Sequence, residues 1–408
     1  MNNKLDKMIY TELKKKHPDV AEIIKREAER EDNTIELIAS ENFPSIETRL
    51  AVASCFTSKY AEGYPGNRYY GGTQFADALE IYCQKKWLEA FRADGYHCNV
   101  QSHCGSSANM AVYMALINPG DTILSMSLAT YGHLSHGAKV SFSGKLYNIV
   151  SYGITSDGFI DYDDLEAKIK AYRPRIVLAG TSSYPREIDF VLIKQIIDKY
   201  TTDEYRPYFV VDSSHISGLI ISGDHQTPFG YADVITTTTH KILRSTRGAL
   251  IFCKTELASK IDKAVFPGTN GGPLMHAIAG KAITADEACT QEYRDYCHRV
   301  VENAKAMANE FIKLGYHVVT GGTDTHMLLI DFSKTHPNLT GKMVQDELDK
   351  HGITLNKNCV PGEKRGPKEA SGVRIGTPAM TTKGYTAEDF IKVAHRIDEL
   401  INNMGDKL

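Results

Sequence analysis

A lysine between two apolar runs holds the position that covalent chemistry at a sheet edge requires. Lys241 lies within T-T-T-T-H-K-I-L-R-S-T-R (236–247), and the flanking runs A-D-V-I and G-A-L-I-F-C predict buried strands. Burial and the cations Arg244 and Arg247 would lower the pKa of Lys241 and make its amine nucleophilic. An ordinary exposed loop lysine is the alternative, so other motifs must decide.

Two further charged residues have apolar surroundings. Asp212 ends the run Y-F-V-V-D, where a half-buried carboxylate needs a cationic partner such as a protonated pyridine nitrogen. An aspartate that caps the following turn is the alternative. Arg374 lies in G-V-R-I-G, and a buried arginine needs an anion, ideally a carboxylate that accepts two parallel hydrogen bonds.

Small polar residues open a predicted helix at Cys104-Gly105-Ser106. Free N–H groups and the helix dipole favour a phosphate there, although an ordinary serine N-cap explains the same pattern. His133 and His136 lie three residues apart in one loop. A metal pair, a ring stacked on an aromatic cofactor and a plain loop histidine are the possibilities, and the lack of a third ligand argues against metal.

The segment 60–72, Y-A-E-G-Y-P-G-N-R-Y-Y-G-G, holds four tyrosines and four glycines. This composition predicts neither helix nor strand. Tyrosine hydroxyls beside glycines that permit close approach favour a binding surface, and a packed Ω-loop is the alternative.

These residues must be positioned by the surrounding elements. Between residues 146 and 253, apolar strands alternate with amphipathic helices, which predicts an α/β fold with a mostly parallel sheet whose ligands bind beyond the carboxyl ends of the strands. We expect a helical arm in 1–50, a large domain in 51–294 and a smaller α+β domain in 295–408. Other predicted elements are helices starting at Pro44 and spanning 75–91, 274–293 and 300–314, and a strand at 317–320.

Composition excludes several classes of protein. The chain has 408 residues, a net charge of −3 and no basic stripe, so we expect no nucleic-acid partner. No apolar run approaches the roughly 18 residues of a membrane span, and the charged N-terminus lacks a signal core, so we expect a cytoplasmic location without membrane contact. Eight cysteines without a C-x-x-C pair predict reduced thiols and no metal site.

A nucleophilic lysine, a strand-end aspartate, a phosphate cradle, a stacking histidine and a carboxylate-binding arginine together indicate a pyridoxal 5'-phosphate enzyme that acts on an amino acid. The sequence also resembles the serine hydroxymethyltransferase family over nearly its full length. The matching stretches, in order, are L-I-A-S-E-N, K-Y-A-E-G-Y-P-G-N-R-Y-Y-G-G, T-T-T-T-H-K, F-P-G-x-x-G-G-P, G-G-T-D-T-H, L-N-K-N and R-I-G-T-P-A.

The resemblance implies the aspartate aminotransferase-like fold (fold type I) and an obligate homodimer with shared active sites, with a tetramer possible. Lys241 would hold the cofactor's aldehyde as a Schiff base, Asp212 would pair with the pyridinium and His133 would stack on the ring. The remaining cofactor contacts would be Ser182 and His215 at the phenolic edge, His240 beside the lysine, and Cys104, Gly105 and Ser106 at the phosphate, with Tyr60 and Gly272 serving the neighbouring site.

The same resemblance assigns the substrate side. Arg374 and Ser40 would bind the carboxylate, and Asn358 would bind the pterin of tetrahydrofolate. Tyr60, Glu62 and Tyr70 would reach into the neighbouring site, where Glu62 handles a proton at the substrate hydroxyl or the folate. Thr238 would assist exchange of the amine at Lys241.

Departures from the family pattern concentrate on the folate side. The family's A-H-G-G-H-L is A-T-Y-G-H-L here, so Tyr131 is expected to place a large ring where glycine lets folate approach; such overpacking costs ~1–3 kcal/mol. D-x-A-H-x-A-G becomes D-S-S-H-I-S-G, which introduces Ser214, and L-x-G-P-R-G-G becomes L-R-S-T-R-G-A. Residues 366–369 replace a serine-proline-phenylalanine stretch, and Cys104 replaces a serine.

Three functions follow. The first is folate-dependent interconversion of L-serine and glycine. The second is a folate-independent aldolase or transaldolase, or a specialised hydroxymethyltransferase, acting on other β-hydroxy amino acids. The third is a non-catalytic cofactor-binding homologue, which the intact Lys241, Asp212, Glu62 and Arg374 disfavour.

Overall fold

The computed structural model describes residues 4–405. The helices are α1 (Lys4–Lys14), α2 (Pro18–Asn33), α3 (Ile46–Val52), α4 (Gln74–Phe91), α5 (Gly105–Leu116), α6 (Phe142–Leu146), α7 (Tyr162–Tyr172), α8 (Phe190–Tyr200), α9 (Ser217–Ser222), α10 (Ala258–Lys263), α11 (Met275–Ala288), α12 (Gln291–Lys313), α13 (Gly341–Lys350), α14 (Pro378–Thr382) and α15 (Ala387–Gly405). The strands are β1 (Ile35–Glu36), β2 (Gly63–Tyr64), β3 (Asn67–Arg68), β4 (Tyr96–Asn99), β5 (Thr122–Met126), β6 (Asn148–Tyr152), β7 (Ile176–Ala179), β8 (Tyr208–Asp212), β9 (Val234–Thr238), β10 (Ala249–Lys254), β11 (Met327–Asp331), β12 (Ile353–Thr354), β13 (Asn356–Asn358) and β14 (Gly372–Gly376).

A seven-stranded sheet with the order β4-β10-β9-β8-β7-β5-β6 forms the centre of the molecule. Within this sheet of the described residues, β10 runs antiparallel to β4 and β9, and the other neighbouring strands pair in parallel. Successive residues of a strand enter different cores, since Phe209 and Val211 pack on one face and Val210 on the other. This two-sided burial is typical of a parallel sheet covered by helices. The predicted α/β fold with a mostly parallel sheet is therefore confirmed.

The C-terminal part has a second core of its own, built around the antiparallel sheet β11-β14-β13. The chain's N-terminal segment joins it, because β1 pairs in parallel with β12 and Leu37 is buried there. Helix α12 serves both cores: Tyr293 packs in the large one and Phe311 in the C-terminal one. The predicted boundary at 294/295 lies inside this helix, and the division into three domains stays a prediction.

Several predicted elements are wrong in detail. The helix expected over 274–293 breaks after α11, because the Thr290 side chain accepts a hydrogen bond from the backbone N–H of Tyr293 and so caps α12. The predicted helix 300–314 is the second half of α12. Segment 317–320 is not a strand: Thr320 has a left-handed φ of 62°, which turns the chain.

Two smaller predictions also change. Segment 60–72 contains the hairpin formed by β2 and β3, where neither helix nor strand was expected. The helix expected at Pro44 starts at Ile46, because the Ser45 side chain caps the N–H of Thr48. None of the helices in residues 4–405 has the length and apolar character that a membrane span requires.

Candidate active site

A cavity of about 440 Å³ opens beyond the carboxyl ends of the central strands. A second cavity of about 210 Å³ adjoins it and shares Lys241, His215 and Ser182 with it. Most of the predicted site residues line one or both, namely Ser40, Cys104, Gly105, Ser106, His133, Ser182, Asp212, His215, Thr238, His240, Lys241, Asn358 and Arg374. The sheet edge thus gathers residues from distant parts of the chain, as open α/β sheets do.

Lys241 lies in the loop between β9 and β10 and is buried. Burial lowers its pKa to about 8; Asp212 opposes this shift, while Arg374 and Arg247 add to it. Arg244, which was expected to contribute, lies with its guanidinium 4.6 Å from the ring centre of Tyr296. An amine with this pKa is partly neutral near neutral pH, and a neutral amine can act as a nucleophile.

Asp212 is held by four hydrogen bonds at the end of β8. Its Oδ2 accepts from His136 Nε2 and from Asn109 Nδ2, each at 2.9 Å, and its Oδ1 accepts from the backbone N–H and the hydroxyl of Ser214. Burial alone would raise the pKa of Asp212, but the bonds from His136 and Ser214 outweigh it and hold the pKa well below its usual range. The carboxylate therefore stays ionised inside the protein.

The start of α5 forms a cradle suited to an anion. A side chain at Gly105 would meet Thr238 Cγ2 at 2.6 Å, so only glycine allows this approach to β9. Thr238 is 7% exposed, and its Oγ1 has no hydrogen-bond partner among the described residues. The first N–H groups of a helix also lack intrahelical acceptors. Pyridoxal phosphate fits these groups: its phosphate matches the orphan donors, its ring nitrogen matches the ionised Asp212, and its aldehyde matches the nucleophilic Lys241.

Three histidines in this region are kept neutral. Burial lowers the pKa of His133 to about 4 and of His240 to about 3. Burial also lowers the pKa of His215 well below its usual range, helped by Lys241 and Arg374. The Nδ1 of His215 lies 3.2 Å from Nε2 of His326, which orients its ring. No group of three or more metal-ligating side chains lies within residues 4–405, so the structure gives no support to a metal pair at His133 and His136.

Arg374 is buried on β14, and among the residues that the structure describes no carboxylate accepts a hydrogen bond from it. Its Nε donates to the amide oxygen of Asn356 at 3.0 Å, and its Nη1 donates to the carbonyl of Ser182 at 2.5 Å. Burial lowers its pKa to about 10, so the guanidinium remains charged at neutral pH. A buried cation whose acceptors are uncharged is prepared for an anionic ligand.

Tyr131 does not occupy the cavity, and the expected overpacking is absent. Its ring is 3% exposed, its hydroxyl donates to the carbonyl of Gly158 at 2.9 Å, and it packs against Tyr184 at 5.3 Å between ring centres. A left-handed φ of 72° turns the side chain into the protein. Leu128 and Leu134 line the cavity instead and are partly exposed there.

The remaining predicted residues form a second cluster away from Lys241. Tyr60 and Tyr70 pack edge to face at 5.4 Å, and the Tyr70 hydroxyl donates to Glu62 at 3.3 Å. The negative charge of Glu62 raises the pKa of Tyr70. A side chain at Gly272 would meet the Tyr60 ring at 3.0 Å. Tyr60 and Tyr70 are 57% and 50% exposed. None of the four lines the Lys241 cavities.

A buried lysine supports the segment that leads into the cradle. Lys281 Nζ donates to the carbonyls of Val100, Ser102 and Ala249 at 2.7, 3.2 and 3.0 Å. Burial lowers its pKa to about 8. A side chain at Gly248 would meet Lys281 Cε at 2.4 Å, so a larger residue there would displace the lysine from these carbonyls.

Several contributing residues were not predicted. His136, Asn109 and Ser214 hold Asp212, His326 orients His215, and Lys281 fixes the cradle segment. The three-residue spacing of His133 and His136 was a signal, but spacing alone does not distinguish a ligand of the carboxylate from a loop histidine. Asn109 is a polar residue on the sheet-facing side of α5, and that feature could have marked it.

A mostly parallel sheet that presents a buried, nucleophilic lysine at its carboxyl edge defines the class of fold type I pyridoxal-phosphate enzymes. The family model of serine hydroxymethyltransferase matches residues 13–397. The chain therefore belongs to the serine hydroxymethyltransferase family, a family of pyridoxal-phosphate-dependent transferases.

Proposed function

We propose that the protein transfers the hydroxymethyl group of L-serine to tetrahydrofolate, releasing glycine, and catalyses the reverse reaction. The direction of the Tyr131 ring is the observation that favours this proposal over the folate-independent alternative. Because that ring is buried against Gly158 and Tyr184, it does not line the cavity beside Lys241. Tyr131 therefore does not obstruct the approach of folate that it was expected to block. Leu128 and Leu134 give this part of the cavity apolar walls suited to a flat ring.

Pyridoxal phosphate, when bound, supplies an aldehyde for the substrate's amino group and a protonated ring that withdraws electrons from the α-carbon. Lys241 would hold the aldehyde, and the ionised Asp212 would keep the ring nitrogen protonated. Gly105 and Ser106 would donate backbone N–H groups to the phosphate, with Cys104 and Thr238 beside them. His133, Ser182, His215 and His240 would complete the walls.

The substrate would be oriented by its charges. Arg374 would bind the carboxylate together with Ser40, which fixes the amino acid relative to Lys241. Glu62 and Tyr70 of the neighbouring subunit would hold and move the proton at the hydroxyl of serine. Asn358 lines the same cavity and would bind the pterin.

The exposed second cluster supports the proposal of a homodimer with shared sites. None of the four residues of this cluster lines the cavities around Lys241 of the same chain. They could therefore take part in catalysis only at the site of a neighbouring subunit. Apolar side chains on the N-terminal arm are also uncovered, including Met8, Val20 and Ile23, as expected for an arm that packs on a second chain. Assembly into a tetramer and a cytoplasmic location stay predictions.

The altered segment 366–369 favours a second candidate, a folate-independent aldolase or transaldolase on β-hydroxy amino acids. Pro367 lines the large cavity, where the family has a serine-proline-phenylalanine stretch. A change at this wall alters what can be bound opposite Arg374.

The deciding experiment measures glycine release from L-serine by the cofactor-loaded enzyme with and without tetrahydrofolate. We expect a rate that depends strongly on tetrahydrofolate. Equal rates in both conditions would contradict the folate-dependent function, and assays with other β-hydroxy amino acids would then test the second candidate.

A further inference from the structure

A buried arginine, Arg68, forms hydrogen bonds with the backbone of the loop that contains Glu62. The Arg68 side chain is 2% exposed, and its Nη1 donates to the carbonyls of Ala61 and Gly63 at 2.9 and 2.8 Å. These two carbonyls flank Glu62 on either side. The carbonyl of Glu62 itself accepts from the N–H of Tyr69 at 3.0 Å. Three successive carbonyls are thus fixed around one carboxylate.

The guanidinium is itself anchored from the other side. Its Nη2 donates to Glu80 and its Nε to Asp77, each at 2.7 Å. Glu80 is fully buried on α4. Gln101 joins the network, since its Nε2 donates to the carbonyl of Gly63 and to Glu80 at 2.9 and 2.8 Å.

We infer that Arg68 is a positioning residue for Glu62: it holds the loop in the shape that delivers this carboxylate to the neighbouring subunit's site. The inference rests on the proposed function, in which Glu62 acts in that site. A flexible glycine-rich loop would otherwise sample many conformations, and proton transfer requires placement within hydrogen-bond reach.

Only arginine has the donors that this position uses. Its planar fork engages two carboxylates and two carbonyls at once, whereas the ammonium of lysine has three donors on a single atom. Arg68→Lys therefore keeps the charge and releases part of the clamp. Arg26→Lys is the matched control, because Arg26 makes an exposed ion pair with Glu22 on α2.

Amide hydrogen exchange of the segment 60–72 tests the clamp without reference to activity. We expect faster exchange in R68K than in the wild type, and no change in R26K. Unchanged exchange in R68K would contradict the inference, because the carbonyls flanking Glu62 would then be fixed by other contacts.

Mixed dimers test the role in the neighbouring site. We expect R68K to lower kcat about 100-fold, as misplacement of a reacting group does. A dimer of one R68K chain and one K241A chain has one site with Lys241 and an intact Arg68–Glu62 loop. It should recover about half of the wild-type activity, since one of its two equivalent sites is complete.

The outcomes separate the two proposals. E62Q mixed with K241A should recover activity in the same way, and failure of that pair would contradict the shared site itself. Recovery with E62Q but not with R68K would overturn the role of Arg68. If R68K does not fold, D77N is the alternative variant, because it removes the partly exposed carboxylate that anchors the Arg68 guanidinium. We expect D77N to lower kcat about tenfold and mixed dimers with K241A chains to recover activity. An unchanged kcat, or a loss that the mixed dimers do not restore, would overturn the inference.

Discussion

Lys241 and Glu62 have opposite surroundings. The lysine is enclosed by its own chain at the end of a buried sheet, and burial sets its pKa near 8. The glutamate lies on a loop in which three of the four tyrosines are exposed, and hydrogen bonds from Arg68 fix the backbone carbonyls on either side of it. Under the proposed function, one subunit therefore builds the half of the site that would hold the cofactor, and it presents outward the half that would handle the proton. Defects in the two halves should therefore behave differently.

The largest effect should come from Lys241→Ala, which removes the amine proposed to hold the cofactor's aldehyde. We expect glycine release from serine to fall about a thousandfold or more, because Lys357, the other lysine that lines the 440 Å³ cavity, does not line the adjoining cavity that contains Asp212. The spectral change that glycine causes in the bound cofactor should also disappear. Lys260→Ala, an exposed lysine on α10, is the control; a K241A enzyme that retains both signals would contradict the assignment.

Arg374→Ala should affect binding more than turnover. Loss of a charged, buried hydrogen-bond pair costs about 1.5–3 kcal/mol, so the KM for serine should rise about 10- to 100-fold. Arg396→Ala, which breaks an exposed ion pair on α15, should leave the KM unchanged. An unaltered KM in R374A would show that the substrate carboxylate binds elsewhere.

The pH dependence of cofactor uptake tests the lowered pKa of Lys241 directly. The amine of Lys241 is protonated below its pKa of about 8 and neutral above it, so uptake by the apoprotein should accelerate as the pH rises through 8 and then level off. Arg374→Ala removes a nearby cation and should move the midpoint to higher pH, whereas Asp212→Asn should move it lower. Midpoints that move in the same direction would contradict this electrostatic account.

Tyr131→Phe should have the smallest effect. It removes the hydrogen bond to Gly158, which lowers the free energy of unfolding by about 1 kcal/mol, while the KM for tetrahydrofolate stays unchanged. Leu134→Ala is the contrasting variant, because Leu134 lines the cavity and its loss should raise that KM. A lower KM in Y131F would restore the hypothesis that this ring obstructs folate.

The residues proposed to hold the cofactor could be selected from the sequence because a local pattern marks each of them, and the structure brings them to adjoining cavities. Strand, polar turn and strand mark Lys241, an apolar run marks Asp212, and a glycine before a helix marks Gly105. The direction of Tyr131 depends on a left-handed backbone and on an acceptor 27 residues away in the chain. The bond from His136 to Asp212 spans 76 residues. Contacts of this kind arise from tertiary packing, which no local pattern specifies.

The arm and the second cluster illustrate the same limit. Their residue types were recognised as candidates for contact with another subunit, but the clamp by Arg68 was not expected. An arginine in a glycine-rich loop is indistinguishable in sequence from a surface cation until the buried Glu80 on α4 is known to face it.

Gly248 and Lys281 are in steric contact, and this contact constrains which residues the sequence can have at the two positions. The lysine stem fills the space that any side chain at 248 would need, and its ammonium satisfies three carbonyls that a shorter residue would leave bare. Neither position can change alone without a steric clash or unpaired carbonyls. Engineers who redesign the cradle, and mutational libraries that explore it, should therefore vary the two positions together.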